Sequence, residues 1–206
     1  AEAMRLVLAS RSPARLSTLR RAGIEPQVLV SQVDEEAVQI SDPQDLVLEL
    51  ARLKCEAVAA TVPRDEELVV VGCDSVLDLD RKPYGKPGSP AAAARLWHRL
   101  AGRQANLVTG HHVVVRRGGT ERRASRVAQT TVYFADLSTE EIEAYAATGE
   151  PEHVAGGFTI DGWGGPFITR VDGDPHNVVG ISLPLLRMML ADLGVTWHCL
   201  WTTGQA

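Results

Sequence analysis

The chain has 206 residues, 45% hydrophobic and 23% charged, with a formal net charge of -5. That is an ordinary globular composition, long enough for one large domain or two small lobes around a real core. The negative balance excludes the overall positive field that bulk nucleic-acid binding needs. Arg5, Arg11, Arg15, Arg20 and Arg21, set against Glu2 and Glu25, still allow a local site for a small anion. No apolar run approaches the ~20 residues of a membrane span, and no apolar stretch opens the chain, so neither a span nor a signal peptide is expected. Cys55, Cys73 and Cys199 are widely spaced and form no CxxC pair, which suits reduced, mostly buried thiols in a cytosolic protein. Residues 1–3, ahead of Met4, read as a cloning remnant.

In chain order, residues 5–9 read as a buried strand leading into a helix. Ser12 suits the N-cap, Pro13 the first helical position and Gly23 the stop, with Leu16 and Leu19 facing inward. Asp42 and Pro43 repeat that logic for a second helix, with Leu46, Leu50 and Leu53 on one side and an end near Pro63. Residues 68–72 form a valine-rich buried strand. Ser89 and Pro90 start a third helix that Gly102 ends. Residues 107–117 and 126–134 are strands around a Gly118-Gly119 turn. Ser138 and Glu141 form a capping box for a helix that ends at Gly149. Residues 156–165 are a loop with five glycines, and residues 184–193 a last helix closed by Gly194. Residues 197–206 read as a terminal strand and a loose tail. Hairpins mixed with helices predict an α/β fold: a two-lobed mixed-sheet domain with flanking helices and a central cleft, over residues 4–200, with 201–206 as tail.

Five segments could carry chemistry. Ser10-Arg11-Ser12-Pro13-Ala14-Arg15 places free backbone N–H groups, two hydroxyls and two arginines at a helix start, which makes a phosphate cradle; taken singly it is equally a plain Ser-Pro cap. Asp74, after Val69, Val70 and Val71, stands at the end of a buried strand, where a carboxylate binds Mg²⁺, accepts a proton from water or caps a turn. Lys86, between Gly85 and Pro87, projects from a constrained loop as a point charge for phosphate or as a turn lysine. Glu35, in Val33-Asp34-Glu35-Glu36, is a solvated acid or a second metal ligand. Lys54 reads by itself as a surface lysine, five residues from Glu49 and so off its helix face.

Several familiar patterns are absent. Gly85-Lys86 is followed by proline, so there is no P-loop, and no H-E-x-x-H zinc site occurs. His111 and His112 adjoin in a strand and point to opposite faces. Asp78-Leu79-Asp80 is followed by Arg81-Lys82 rather than by a loop opening a helix. The glycine loop lacks G-x-G-x-x-G order.

Individually weak, the motifs have a specific order. L-A-S-R-S-P-A-R, V-D-E, L-A-R-L-K, G-C-D-S, G-K-P, V-T-G and N-V-V-G-I-S-L-P-L together resemble the Maf family over residues 4–195. The resemblance implies a Maf- or ITPase-like fold. It also implies an enzyme that cleaves nucleoside triphosphates between the α and β phosphates, giving the monophosphate and pyrophosphate. The family's divalent metal (Mg²⁺ or Mn²⁺), cytoplasmic location and homodimer carry over as expectations, without nucleic-acid or membrane partners. Asp74 matches the catalytic base, and Ser10, Arg15, Lys54 and Lys86 match the phosphate contacts. Glu35 pairs with Asp74 at the metal. Ala14, Ser75 and Asp161 depart from the family pattern. The dTTP- and UTP-preferring branch shows threonine after the aspartate and I-Q-G; the 7-methyl-GTP branch shows glutamine and S-E-G. These three positions therefore mark base selection, and the base stays open. The competing functions are a nucleotide-binding regulator of septum formation with weak or no catalysis, and a phosphatase that releases orthophosphate.

Overall fold

The computed structural model describes residues 2–202. Strand β1 (Arg5–Leu8) leads to helix α1 (Pro13–Arg21), where Pro13 opens the helix and the Ser12 hydroxyl accepts from the Arg15 N–H. After β2 (Gln27–Val28) and a 3₁₀ turn at Glu35–Ala37, Asp42 caps α2 (Pro43–Ala59) through the Asp45 N–H. Then come β3 (Leu68–Leu79), β4 (Lys82–Tyr84), α3 (Pro90–Leu100), β5 (Gln104–Arg117) and β6 (Thr120–Phe134). The last two meet at Gly118 and Gly119, whose φ of 58° and 76° supply the left-handed pair that a tight hairpin turn requires. Helix α4 (Thr139–Ala147) has both bonds of its Ser138–Glu141 capping box. Strand β7 (Ile168–Asp172), α5 (Pro175–Val179) and α6 (Leu183–Asp192) complete the chain before a 3₁₀ turn at Trp197–Leu200.

The seven strands form one mixed sheet in the order β2-β1-β3-β5-β6-β7, with β4 on β3. Only β1 pairs in parallel, with β2 and β3. Strands β3 and β5 run through the hydrophobic clusters of the core. Their Val69, Val71, Val113 and Val115 pack with Leu19, Ile24, Leu186 and Leu190, and α2 covers the opposite face over Val70 and Val114. Farther along, Leu77, Leu79 and Leu107 join Leu96, Trp97, Phe134, Ile142 and Tyr145. The molecule therefore has two lobes on a shared pair of strands.

The waist between the lobes has an open edge. Strand β1 pairs with β3 only at residues 68–71, and β4 pairs with it only at 77–79. Residues 72–76 thus lie between two ladders on that side, and Asp74 and Ser75 sit there. Helix α2 crosses the waist at backbone contact. A Cβ at Gly72 would stand 2.7 Å from the Ala51 carbonyl oxygen, and one at Gly110 would overlap the Val47 carbonyl. Because neither neighbour is a flexible side chain, Gly110→Ala should cost about 2–3 kcal/mol of unfolding free energy in urea denaturation. Gly85→Ala, whose Cβ meets nothing within 4 Å, serves as the stability control.

The structure corrects four details of the predicted elements. Asp74 is not at a strand end: β3 continues to Leu79 and pairs with β5 from Leu68 to Asp78. Helix α2 ends at Ala59, and its buried face runs through Val47, Leu50, Ala51, Cys55 and Val58; of the predicted leucine row only Leu50 is buried. The residues from Trp197 form a 3₁₀ turn rather than a strand. Strands β2, β4 and β7 and the short α5 were not anticipated. Of the predicted tail, residues 203–206 lie outside the described residues.

Candidate active site

Ser10, Ala14, Arg15, Glu35, Lys54, Asp74, Ser75, Lys86 and Asp161 all line one cleft of about 1000 Å³. They come from the start of α1, the turn before α2, α2 itself, the open edge of β3, the loop after β4 and the glycine-rich segment. The structure brings together every site residue expected from sequence, including those that read singly as surface groups.

The anion-holding wall is built around Arg15, which is 9% exposed. Its Nε donates to the Gly180 carbonyl at 2.6 Å, Nη1 to the Ser10 hydroxyl at 3.1 Å and Nη2 to the Ser75 hydroxyl at 3.0 Å. All three acceptors are neutral. Among the described residues no carboxylate forms a direct ion pair with this guanidinium, and its charge acts on Asp74 from beyond contact. Three of its five N–H donors are engaged and two remain for a ligand. At the start of α1 the Ser12 N–H donates to the Ser10 hydroxyl and the Arg15 N–H to the Ser12 hydroxyl, at 3.2 Å each, so the Ser10–Ser12 loop is held in place beside the guanidinium. Lys86 supplies a second free cation: it is exposed and forms no ion pair among the described residues. Its loop is held by the Gly156 N–H bonding the Gly85 carbonyl at 3.1 Å and the Gly88 N–H bonding the Glu152 carbonyl at 2.9 Å.

The same cleft holds a carboxylate pair. The Lys54 ammonium stands 2.7 Å from Glu35 Oε1 and 2.7 Å from Asp74 Oδ1, so both acids converge on one cation. Lys54 reaches them because the glycines under α2 let that helix lie directly on the sheet. Burial pushes the Asp74 carboxyl above the ordinary carboxylate range. The charge and hydrogen bond of Lys54 and the charge of Arg15 oppose that rise, and Glu35 adds to it. A carboxylate of raised pKa beside a polar cleft is the usual signature of a proton acceptor.

Sequence reasoning did not assign the groups behind this wall. Thr109 is fully buried and shares a 2.7 Å bond with the Ser75 hydroxyl, which faces Arg15 on its other side. Ser75, expected at the base, thus bonds the buried Arg15. The Ser182 N–H donates to His111 Nε2 at 2.9 Å, which leaves the proton on Nδ1 to bond the Thr109 carbonyl at 3.1 Å. Burial pushes the His111 imidazole down to about 4, so it stays neutral and holds the chain just after Gly180. The only sequence signals were Thr109 in V-T-G and Gly180 in N-V-V-G. The three cysteines are free and buried, and burial pushes the Cys73 thiol up to about 11.

The fold and cleft define an α/β protein built to hold a polyanion between cationic side chains and a carboxylate pair. The chain belongs to the Maf-like protein family, whose model matches residues 5–193. A relative named nucleoside triphosphate pyrophosphatase in Saccharopolyspora erythraea is 55% identical over 205 residues, covering 96% of this chain and 97% of that one. One of the same name in Cutibacterium acnes is 52% identical over 199 residues, covering 95% and 93%. Among solved structures, a dITP/XTP pyrophosphatase from Mycobacterium abscessus aligns over 92% of this chain and 94% of its own, at 17% identity and a TM-score of 0.43, too low to carry an argument.

Proposed function

We propose that this protein is a nucleoside triphosphate pyrophosphatase that hydrolyses NTPs or dNTPs, non-standard ones included, to the monophosphate and pyrophosphate. The observation that carries this reading is the placement, in one cleft, of a buried Arg15 with no direct carboxylate partner among the described residues and the raised carboxylate of Asp74. The names of the relatives support it.

In this reading Arg15, Lys86 and Lys54 hold the phosphate chain, with Ser10 beside Arg15. Asp74 orients a water toward the α phosphorus and takes its proton as the new P–O bond forms. The bond to the bridging oxygen breaks, and pyrophosphate leaves with that oxygen. Donors already fixed by Ser10, Ser75 and Gly180 need no reordering as charge develops.

A divalent cation, Mg²⁺ or Mn²⁺, fits the donor set. Glu35 and Asp74 present hard carboxylate oxygens at one point, where they already share an ammonium. A magnesium-type ion is commonly held by one or two carboxylates, with phosphate oxygens and water completing its shell. No cluster of three or more His, Cys, Asp or Glu suited to a metal occurs among the described residues. When bound, the ion supplies charge neutralisation at the leaving pyrophosphate.

Ala14 and Asp161 border the base in this reading, and Ser75 acts there through Arg15. Among the described residues no helix is long and apolar enough to cross a membrane. The remaining assignment is a cytoplasmic homodimer that takes nucleotides rather than nucleic acid, open to test by sedimentation. The deciding assay is a nucleotide panel with Mg²⁺ or Mn²⁺, resolved for pyrophosphate against orthophosphate. Pyrophosphate is the expected first product. Orthophosphate first would sink the reading, and tight binding without turnover would favour a division regulator.

A further inference from the structure

The segment that carries Asp161 is folded around a single carboxylate. Glu150 follows Gly149, the left-handed residue (φ 80°) after α4. Its Oε1 accepts from the Tyr145 hydroxyl at 2.7 Å, the Thr159 hydroxyl at 2.6 Å and the Gly164 N–H at 3.2 Å, and its Oε2 accepts from the Trp163 N–H at 3.0 Å. Donors from both ends of residues 159–164 thus meet on one side chain. Its two oxygens are crowded by the loop: a Cβ at Gly162 would stand 2.5 Å from Glu150 Oε2, and one at Gly164 would stand 2.5 Å from the Tyr145 hydroxyl. Desolvation raises the Glu150 carboxyl, but the hydrogen bonds from Thr159, Trp163, Tyr145 and Gly164 outweigh it and hold the group below its usual range. Tyr145 in turn packs edge-on against Trp97, with ring centroids 5.6 Å apart, and is tied to the core of the second lobe.

Glu150 is not in the cleft wall, whereas Phe158, Thr159, Ile160 and Asp161 are. A glycine-rich stretch loses more backbone freedom on ordering than any other kind, so its path needs local bonds to be fixed.

We propose that Glu150 is a positioning residue for base selection: its carboxylate gathers residues 159–164 and thereby sets where Asp161 stands at the cleft. The inference rests on the reading that the Asp161 edge meets the base. Glu150→Gln keeps one acceptor oxygen but turns an NH₂ donor toward the donors around it. Tyr145→Phe, outside the cleft wall, removes one donor and leaves the carboxylate in place. Both variants are assayed on nucleoside triphosphates that differ only in the base.

In each, the kcat/KM ratio between the two best nucleotides should change by roughly fivefold or more, through KM, while kcat on the best stays within about twofold. A merely structural role would lower activity on all nucleotides alike. Unchanged ratios in both variants, or a loss of kcat common to every nucleotide, overturn the proposal and leave the pyrophosphatase reading intact. Loss of folding in both, followed by circular dichroism, assigns Glu150 to stability and overturns it too. A wild-type enzyme with no preference among bases overturns the reading of the Asp161 edge, and the proposal falls with it.

Discussion

Asp74→Asn is expected to lower pyrophosphate release by about 10²–10⁴-fold, the range associated with losing a positioned proton acceptor, without loss of the fold. The amide keeps the shape and an acceptor for Lys54 but cannot take a proton from water. Stability follows from the direction of the Asp74 shift. Its folded-state carboxyl lies above its unfolded value because burial disfavours the charge. Such a group stabilises the protein fully below the unfolded pKa, and that contribution is lost as pH rises through the folded one. At neutral pH the ionised Asp74 is therefore a net cost, and the Asn variant should melt at or above the wild-type temperature. Full activity in the variant would remove Asp74 from the chemistry. Lost activity with a clearly lower melting temperature would point to a structural role instead.

The second large effect concerns Lys54. Its ammonium is the nearest cation to both Asp74 and Glu35. Of the influences on Asp74, the two from Lys54 lower the carboxyl, while burial and Glu35 raise it. Lys54→Met keeps the stem that packs along α2 and removes the charge. Asp74 then keeps only Arg15 against burial and a neighbouring acid, and its pKa climbs further. The acidic limb of the kcat/KM–pH profile, below which the base is protonated, should move up by about one to two pH units. Activity at pH 6 should fall more than activity at pH 8. A parallel loss at every pH would reduce Lys54 to a phosphate contact, and an unmoved acidic limb with a normal KM would exclude it from the site. The effect also separates Lys54 from Lys86, which has no carboxylate partner among the described residues and should change KM without moving the limb.

Both predictions depend on residues whose spacing carried no meaning in the chain. Lys54 follows Glu49 by five positions and read as a surface group. Its two acidic partners lie 19 residues before it and 20 after it. Lys54 reaches them because α2 lies against the sheet at Gly72 and Gly110, and that approach depends on the missing side chains meeting the Val47 and Ala51 carbonyls. The strand carrying Asp74 was read too short for the same reason. Gly72-Cys73-Asp74-Ser75 interrupts the apolar pattern because Gly72 admits a helix backbone, while Asp74 and Ser75 face a cleft between two incomplete ladders. Alternation records burial against a core, and these positions are buried against a helix or aimed at a ligand. Strands β2, β4 and β7 escaped notice because they have only two to five residues and pair at the margins.

By itself, the sequence determined what is local. Ser12, Asp42, Ser89 and Ser138 cap their helices through bonds no more than three residues long. The Gly118-Gly119 turn fixed the β5–β6 hairpin, and the order of short motifs fixed the family. Only the tertiary structure decided that Arg15 is buried among neutral hydrogen-bond acceptors. It likewise decided that Lys54 bridges two acids, that Ser75 serves the arginine, and that Glu150 gathers the Asp161 segment. Caps and turns are set by backbone torsions within a few residues, whereas the charge state and aim of a side chain depend on whatever the fold packs around it from anywhere in the chain.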